Sequence, residues 1–286
     1  MDAVQALTRL GGVATYAELT DLVSRHTITS ARQSGRIIRV RRNVYVLPGL
    51  DDARAAAARV NGVVSHLSAA QAHGWKVKFP PKKPMVTVRA NAHPTGSAGM
   101  DITYARLDRG QLVGGVTGPV RTVLDCARKL DFDEALAVAD SALRSGKITR
   151  EALLVAAHDC PRTGRQRALR VVGAATPLAA NPFESVLRAI ALEVPGLVVV
   201  PQGEVGRVGH ADLTAPALRI AVEGDSYEHH SLPEAFRYDV RRYTDMVALG
   251  WVVVRFVWED VMYRQAYVRE VLTAVTSWRS RELAAA

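Results

Sequence analysis

The stretch His210–His230, HADLTAPALRIAVEGDSYEHH, constrains the fold more tightly than any other part of the chain. Its Ile220–Asp225 segment reads as a strand, in which successive side chains point to opposite faces. Ile220 and Val222 then share one face, while Glu223 and Asp225 share the other, about 6.5 Å apart along the backbone. The TAPA segment before it reads as a turn, so an antiparallel partner strand brings Asp212 to the same place. Like charges gathered there repel one another, and a positive group is expected among them.

The chain has 286 residues, of which 48% are hydrophobic, enough for about two or three domains with buried cores. No apolar run approaches the ~18 residues that span a bilayer, and the start MDAVQALTRLGG lacks the basic-then-apolar form of a signal peptide. The expectation is a cytoplasmic protein with no membrane partner. Cys126 and Cys160 stand apart with no metal-finger or disulfide-framework spacing.

The formal net charge of +9 is unevenly spread. Residues 1–180 hold 26 basic and 14 acidic side chains, a balance of +12, whereas residues 181–286 hold 11 Arg, no Lys and 14 acids, a balance of −3. A basic front suits a polyanion, and an acidic rear with clustered carboxylates suits a cation.

Residues 1–50 read as a winged helix-turn-helix domain. DAVQALTRL places Val4, Leu7 and Leu10 at helical spacing before Gly11-Gly12; Tyr16, Leu19 and Val23 repeat that spacing; and a third helix starts near Thr27 or Thr29 over SARQSGRI. IIRVRRNVYVLPG then alternates as a hairpin that bends at Arg41-Arg42-Asn43. Between Arg25 and Leu50 there are six Arg and no acid. This pattern assigns Arg32 and Arg36 to DNA bases and Arg41 and Arg42 to backbone phosphates, with Arg39 on the same basic ribbon.

Residues 51–178 read as a mixed α/β middle domain: a helix capped by Ser65, strands in KPMVTVRA and DITYARL, then three helices, of which the last two are separated by Gly146. His66 and His73, without acidic or Cys neighbours, read as packing residues. GAATPLAANP, after the arginines of RTGRQRALR, reads as a linker.

Residues 179–286 read as a compact α/β domain that opens on a helix capped by Asn181 with Pro182 in its first turn. Val186 and Ile190, with Phe183, form its apolar stripe, and Glu184 and Arg188 lie on another face. Strands, a helix, the apolar strand WVVVRFVW and a closing helix with Val268, Leu272, Val275 and Trp278 along one side follow. Asp212 and Glu223 suit Mg²⁺, which takes oxygen ligands and is held by one or two carboxylates plus water and phosphate; Mn²⁺ is the alternative. Glu184 is placed to orient a metal-bound water, and His229 or His230 to move a proton near neutral pH.

FESVLR, HADLTAPALRIAVEGDSYEHH and FRYDVRRYTDMVALGWVVVRFVWEDV together resemble the endonuclease-like domains related to very-short-patch-repair endonucleases, in the PD-(D/E)XK superfamily. RIIRVRRNVYVLPG, SHLSAAQAHGW and RTVLDCARKLDFDEALAVADSALRSGKITREAL are similar to AbiEi-type antitoxins. The first resemblance implies a restriction-endonuclease-like domain in which Asp212 and Glu223 bind metal and Glu184 is the helix acid. It gives Asp225 to the metal site too, where the superfamily name expects Lys; no Lys follows Lys147. In that branch Asp225 and His229 or His230 share the work, and Arg237, Asp239 and Arg242 also match. Two functions follow as expectations: a metal-dependent DNA endonuclease, or an antitoxin-like transcriptional regulator whose nuclease-like domain is inactive. Both need DNA, and a toxin or a second copy of the chain is a further partner. A zinc phosphoesterase using His210, Asp212 and His229 is a third.

Overall fold

A computed structural model describes residues 1–225 and 233–285. It is mixed α/β, with two compact units: residues 1–75 with 79–126, and residues 76–78 with 127–286. None of the described helices is long and apolar enough to cross a membrane.

The first unit opens with α1 (Ala3–Arg9), β1 (Val13–Thr15), α2 (Tyr16–Thr20), α3 (Arg25–Gln33), β2 (Ile38–Arg41) and β3 (Val44–Val46). Asp2 and Thr15 each close a capping box on the helix that follows, a device that contributes about 1 kcal/mol per cap. Leu7, Leu19, Ile28, Ala31 and Ile37 form the core. The expected hairpin is present, and β1 adds to it as a third strand, in the order β1-β3-β2. α3 starts two residues before Thr27 because Ser24 caps it, and it stops at Gln33, ahead of Gly35 at φ +69°. Arg36 therefore lies beyond the helix on which the sequence pattern set it. Val23 likewise follows α2 instead of belonging to it.

The same unit continues through α4 (Asp52–Val60), β4 (Val63–Val64), α5 (His66–Ala72), β5 (Met85–Arg89), β6 (Asp101–Ala105), β7 (Leu112–Val113), β8 (Val116–Thr117) and most of α6 (Pro119–Lys129). The five strands form one sheet, β6-β5-β4-β8-β7. Ser65 precedes α5 but makes no side-chain cap bond; its Oγ lies 2.9 Å from His66 Nδ1 instead. His66 is buried, and His73 Nε2 lies 2.8 Å from the Thr117 carbonyl and against Trp75, so both histidines are packing residues.

The second unit holds α7 (Phe132–Arg144), α8 (Arg150–Asp159), α9 (Arg165–Ala174), α10 (Pro182–Ala191), β9 (Val200–Glu204), β10 (His210–Ala215), β11 (Ile220–Asp225), α11 (Pro233–Ala248), β12 (Val252–Val257), α12 (Trp258–Tyr263) and α13 (Gln265–Ala285). Its sheet runs β12-β11-β10-β9, with the first three strands in sequence antiparallel and β12 parallel to β11. On α13, Val268, Leu272 and Thr276 are buried, and Trp278 is 47% exposed. The buried stripe follows i, i+4, i+8, which rotates the expected Val275–Trp278 edge toward water.

Residues 173–182 are packed, not a free linker. Ala175 and Ala179 are buried, the Thr176 N–H donates to Asp140 Oδ1 at 2.8 Å, and Arg144 donates to the Ala179 carbonyl. Arg188, on a face of α10 apart from the apolar stripe, is nonetheless 4% exposed and donates to both oxygens of a fully buried Asp140 at 2.9 and 2.7 Å. Burial still holds the Asp140 carboxyl above its ordinary range despite that guanidinium. This pair ties α7 to α10, which is why the helices read from sequence as the end of a middle domain belong with the rear sheet.

Removing one partner of a buried ion pair leaves the other charge uncompensated. Arg188→Met is expected to lower stability to urea by about 3–5 kcal/mol, and Asp140→Leu with Arg188→Met to recover much of that loss. A single variant within about 1 kcal/mol of wild type would show that the pair contributes little.

Candidate functional site

The β10–β11 hairpin brings the acids together. Leu213 pairs with Val222, and extending that register by one residue sets Asp212 opposite Glu223. Asp212 Oδ2 accepts the Gly224 N–H at 2.8 Å. Gly224 is required there, because a Cβ would come within 2.6 Å of the Phe183 ring. Glu223 is 5% exposed. Burial, and then the charge of Asp212, push its carboxyl up to about 7. Burial also raises the Asp212 carboxyl.

Glu184 joins from the first turn of α10. Its N–H donates to Asn181 Oδ1 at 3.0 Å, and its carboxylate accepts Asn181 Nδ2 at 2.9 Å and the Ala180 N–H at 2.8 Å. It thereby braces the Asn181 cap and meets Gln202 of β9. Burial leads the upward shift of its carboxyl, and the charge of Asp212 adds to it.

Gln202 links the two acids and was not legible in the sequence as a site residue. Its Nε2 lies 3.0 Å from Glu184 Oε2 and 3.4 Å from Asp212 Oδ1. Gln202 has φ +48°, and the β9–β10 pairing skips it and Asp212 while engaging the residues on either side. A left-handed side-chain-bearing residue is strained, and such strain gathers at functional sites. The available signal was a lone amide between Pro201 and Gly203 in an otherwise apolar run.

Two arginines answer the negative charge. Arg242 Nη2 lies 2.7 Å from Glu223 Oε1, with side chains 16% and 7% exposed. That approach is not aligned as a hydrogen bond: Glu223 Oε1 has no hydrogen-bond partner, and Arg242 donates instead to the His210 carbonyl. Arg255 Nε pairs with Asp225 Oδ2 at 2.9 Å, and Asp225 Oδ1 accepts from the Tyr243 hydroxyl at 3.4 Å. Burial, followed by the charge of Asp225, raises the Tyr243 phenol. Arg255, the single charge in an apolar strand, sits opposite Glu223 in the parallel register. Arg237 is exposed on α11, and His229 and His230 lie outside the described residues.

The structure thus brings Glu184, Asp212 and Glu223 together through Gln202 and the hairpin, and turns Asp225 to Arg255. The all-oxygen donor set fits a hard divalent cation. Among the described residues, no three His, Cys, Asp or Glu side chains are grouped so as to hold an ion by themselves. An ion held there would need further ligands from water or substrate.

In the first unit, Arg32, Arg36, Arg39 and Arg42 are exposed, with Arg42 in the turn between β2 and β3. Arg36 lies 3.6 Å from Asp2, and Arg39 Nε donates to the Arg41 carbonyl. Arg41, expected at phosphate, is part-buried and donates to the Ala58 carbonyl at 3.0 Å and to Asn61 Oδ1 at 2.6 Å. It anchors the hairpin to α4, which leaves Arg42 as the outward cation of that turn.

No family model matches the chain. Two curated proteins of Mycobacterium tuberculosis, the uncharacterized proteins MT2308 and Rv2248, are each 32% identical to it over 164 residues, 55% of this chain. The match spans 59% of their own length. Of solved structures, the RV2827C protein from Mycobacterium tuberculosis overlaps 64% of this chain and 78% of its own, at 15% identity and a TM-score of 0.35.

A carboxyl whose folded pKa is raised favours the protonated fold, so its stabilising contribution is present below the unfolded value and lost as pH climbs through the folded one. For Glu223 that window runs from the ordinary glutamate value of 4.5 to about 7. With chelator present, the melting temperature of wild type is expected to fall relative to Glu223→Gln across this window. A difference between the two that stays constant with pH would contradict the burial of an ionisable Glu223.

Proposed function

We propose that the chain is a metal-dependent DNA endonuclease that hydrolyses phosphodiester bonds. In this reading α3 and the β2–β3 hairpin form a winged helix that holds DNA, and α10 with β9–β11, α11 and β12 forms a PD-(D/E)XK-like nuclease related to very-short-patch-repair endonucleases. The observation that carries the reading is that Asp212 and Glu223 flank the Leu213–Val222 pair of two antiparallel strands, Glu223 buried and Asp212 half-buried, both with raised carboxyl pKa values. Adjacent buried carboxylates repel, and a divalent cation compensates that repulsion while adding chemistry.

Asp212 and Glu223 would hold Mg²⁺ or Mn²⁺, which supplies Lewis acidity toward a phosphodiester and lowers the pKa of water. The protein's own groups do the positioning. Gly224 fixes one oxygen of Asp212, Gln202 ties Asp212 to Glu184, and Arg242 stands where a guanidinium can take a phosphate oxygen. The exposed arginines of the first unit suit backbone phosphates, whose contacts give affinity without sequence information.

A second reading has one observation in its favour. The Arg242–Glu223 pair offsets one of the site's charges without metal, which suits an antitoxin-like DNA-binding regulator whose rear sheet has become a scaffold. Cleavage separates the two. Purified protein is expected to nick or cut DNA with Mg²⁺ or Mn²⁺, and Asp212→Ala or Glu223→Ala to abolish this without abolishing DNA binding. DNA binding with no cleavage under any divalent ion would select the regulator.

On the DNA side, each phosphate contact contributes about −0.9 to the slope of log K against log salt. Arg32→Ala with Arg42→Ala is expected to flatten that slope by up to about 2 units in a fluorescence-anisotropy titration. An unchanged slope would move the DNA surface elsewhere.

A further inference from the structure

Every described acid at the site has a resident partner, but the partners are held differently. Glu184 and Asp212 accept aligned hydrogen bonds from backbone N–H groups and from Gln202. Asp225 accepts one from Arg255, whose guanidinium lies 4.0 Å from the centre of the Tyr243 ring. Glu223 Oε1 has only the misaligned approach of Arg242. Arg242 directs a hydrogen bond to the His210 carbonyl, two residues before Asp212. A full positive charge thus lies 2.7 Å from Glu223 and 5.5 Å from the centre of the Tyr243 ring, while its aligned hydrogen bond goes to the His210 carbonyl.

We infer that Arg242 is a displaceable stand-in for the divalent ion, so that the site loads metal only when a DNA phosphodiester draws the guanidinium off Glu223. The inference rests on the nuclease reading and adds its regulation. A guanidinium matches the two unesterified oxygens of a phosphodiester with a pair of parallel hydrogen bonds, better geometry than it has on Glu223. The exchange keeps Arg242 beside an anion throughout, while Glu223 gains a free oxygen beside Asp212. Substrate and metal then bind with positive coupling, each favouring the arrangement the other needs.

The test is Mn²⁺ affinity of the full chain, read by electron paramagnetic resonance with and without a short DNA duplex. Without DNA, Arg242→Gln is expected to bind Mn²⁺ about tenfold more tightly than wild type, and DNA to narrow that gap. Equal DNA-free affinity in the two chains, lost in Asp212→Asn, overturns the gate and leaves the nuclease reading standing. Absence of Mn²⁺ binding in both chains, with and without DNA, overturns the nuclease reading itself. Wild type alone also decides the matter if Arg242→Gln fails to fold: Mn²⁺ affinity unchanged by DNA contradicts displacement.

Discussion

The rear unit is organised around the repulsion between two carboxylates that a β-hairpin forces into register. Asp212 and Glu223 each adjoin the Leu213–Val222 backbone pair, so the hairpin register keeps the two residues side by side. The surroundings respond at every point within reach. The chain omits a side chain at position 224, so the N–H there reaches Asp212 and the Phe183 ring fits beside it. It holds Gln202 in a left-handed conformation, where its amide meets two acids, and brings Arg242 in from α11. Burial is the largest cause of the raised pKa in all three acids, Glu184, Asp212 and Glu223. The site therefore stores unfavourable charge that a divalent cation can relieve.

Asp225 shows how a neighbouring charge divides the labour of one strand. It shares a face with Glu223 by strand alternation, yet Arg255 and Tyr243 engage it. Each acid of this strand has its own arginine, Asp225 through an aligned hydrogen bond from Arg255 and Glu223, whose Oε1 has no aligned hydrogen bond, through the 2.7 Å ion pair with Arg242. Asp225 thus carries its own cation, supplied from the adjacent parallel strand.

Much of this was legible because strands have a fixed period of two. The Ile220–Asp225 strand, the TAPA turn and the placing of Asp212 all follow from alternation and turn chemistry, and Asn181 was readable as a cap from its place before Pro182. What escaped were features that break local periodicity or depend on distant partners. Gln202 departs from extended backbone, so no alternation count finds it. Arg255 and Asp140 each lie in apolar runs whose meaning comes from partners 30 and 48 residues away. Arg36 was misplaced because Gly35 ends α3 early, and the residues 173–182 read as a linker since small residues and Pro suit both a linker and a tightly packed connection. Trp278 was set inward because helical spacing allows either i+3 or i+4, and packing on α13 follows the latter.

The central claim is that Asp212 and Glu223 form one cation site. The most direct measurement is the anomalous scattering of Mn²⁺ in a crystal of the protein bound to DNA. The account expects a single strong peak within coordinating distance of a carboxylate oxygen from each residue, with Arg242 turned to a phosphate. A Mn²⁺-saturated crystal with no peak between these acids, and with Arg242 still against Glu223, would contradict it.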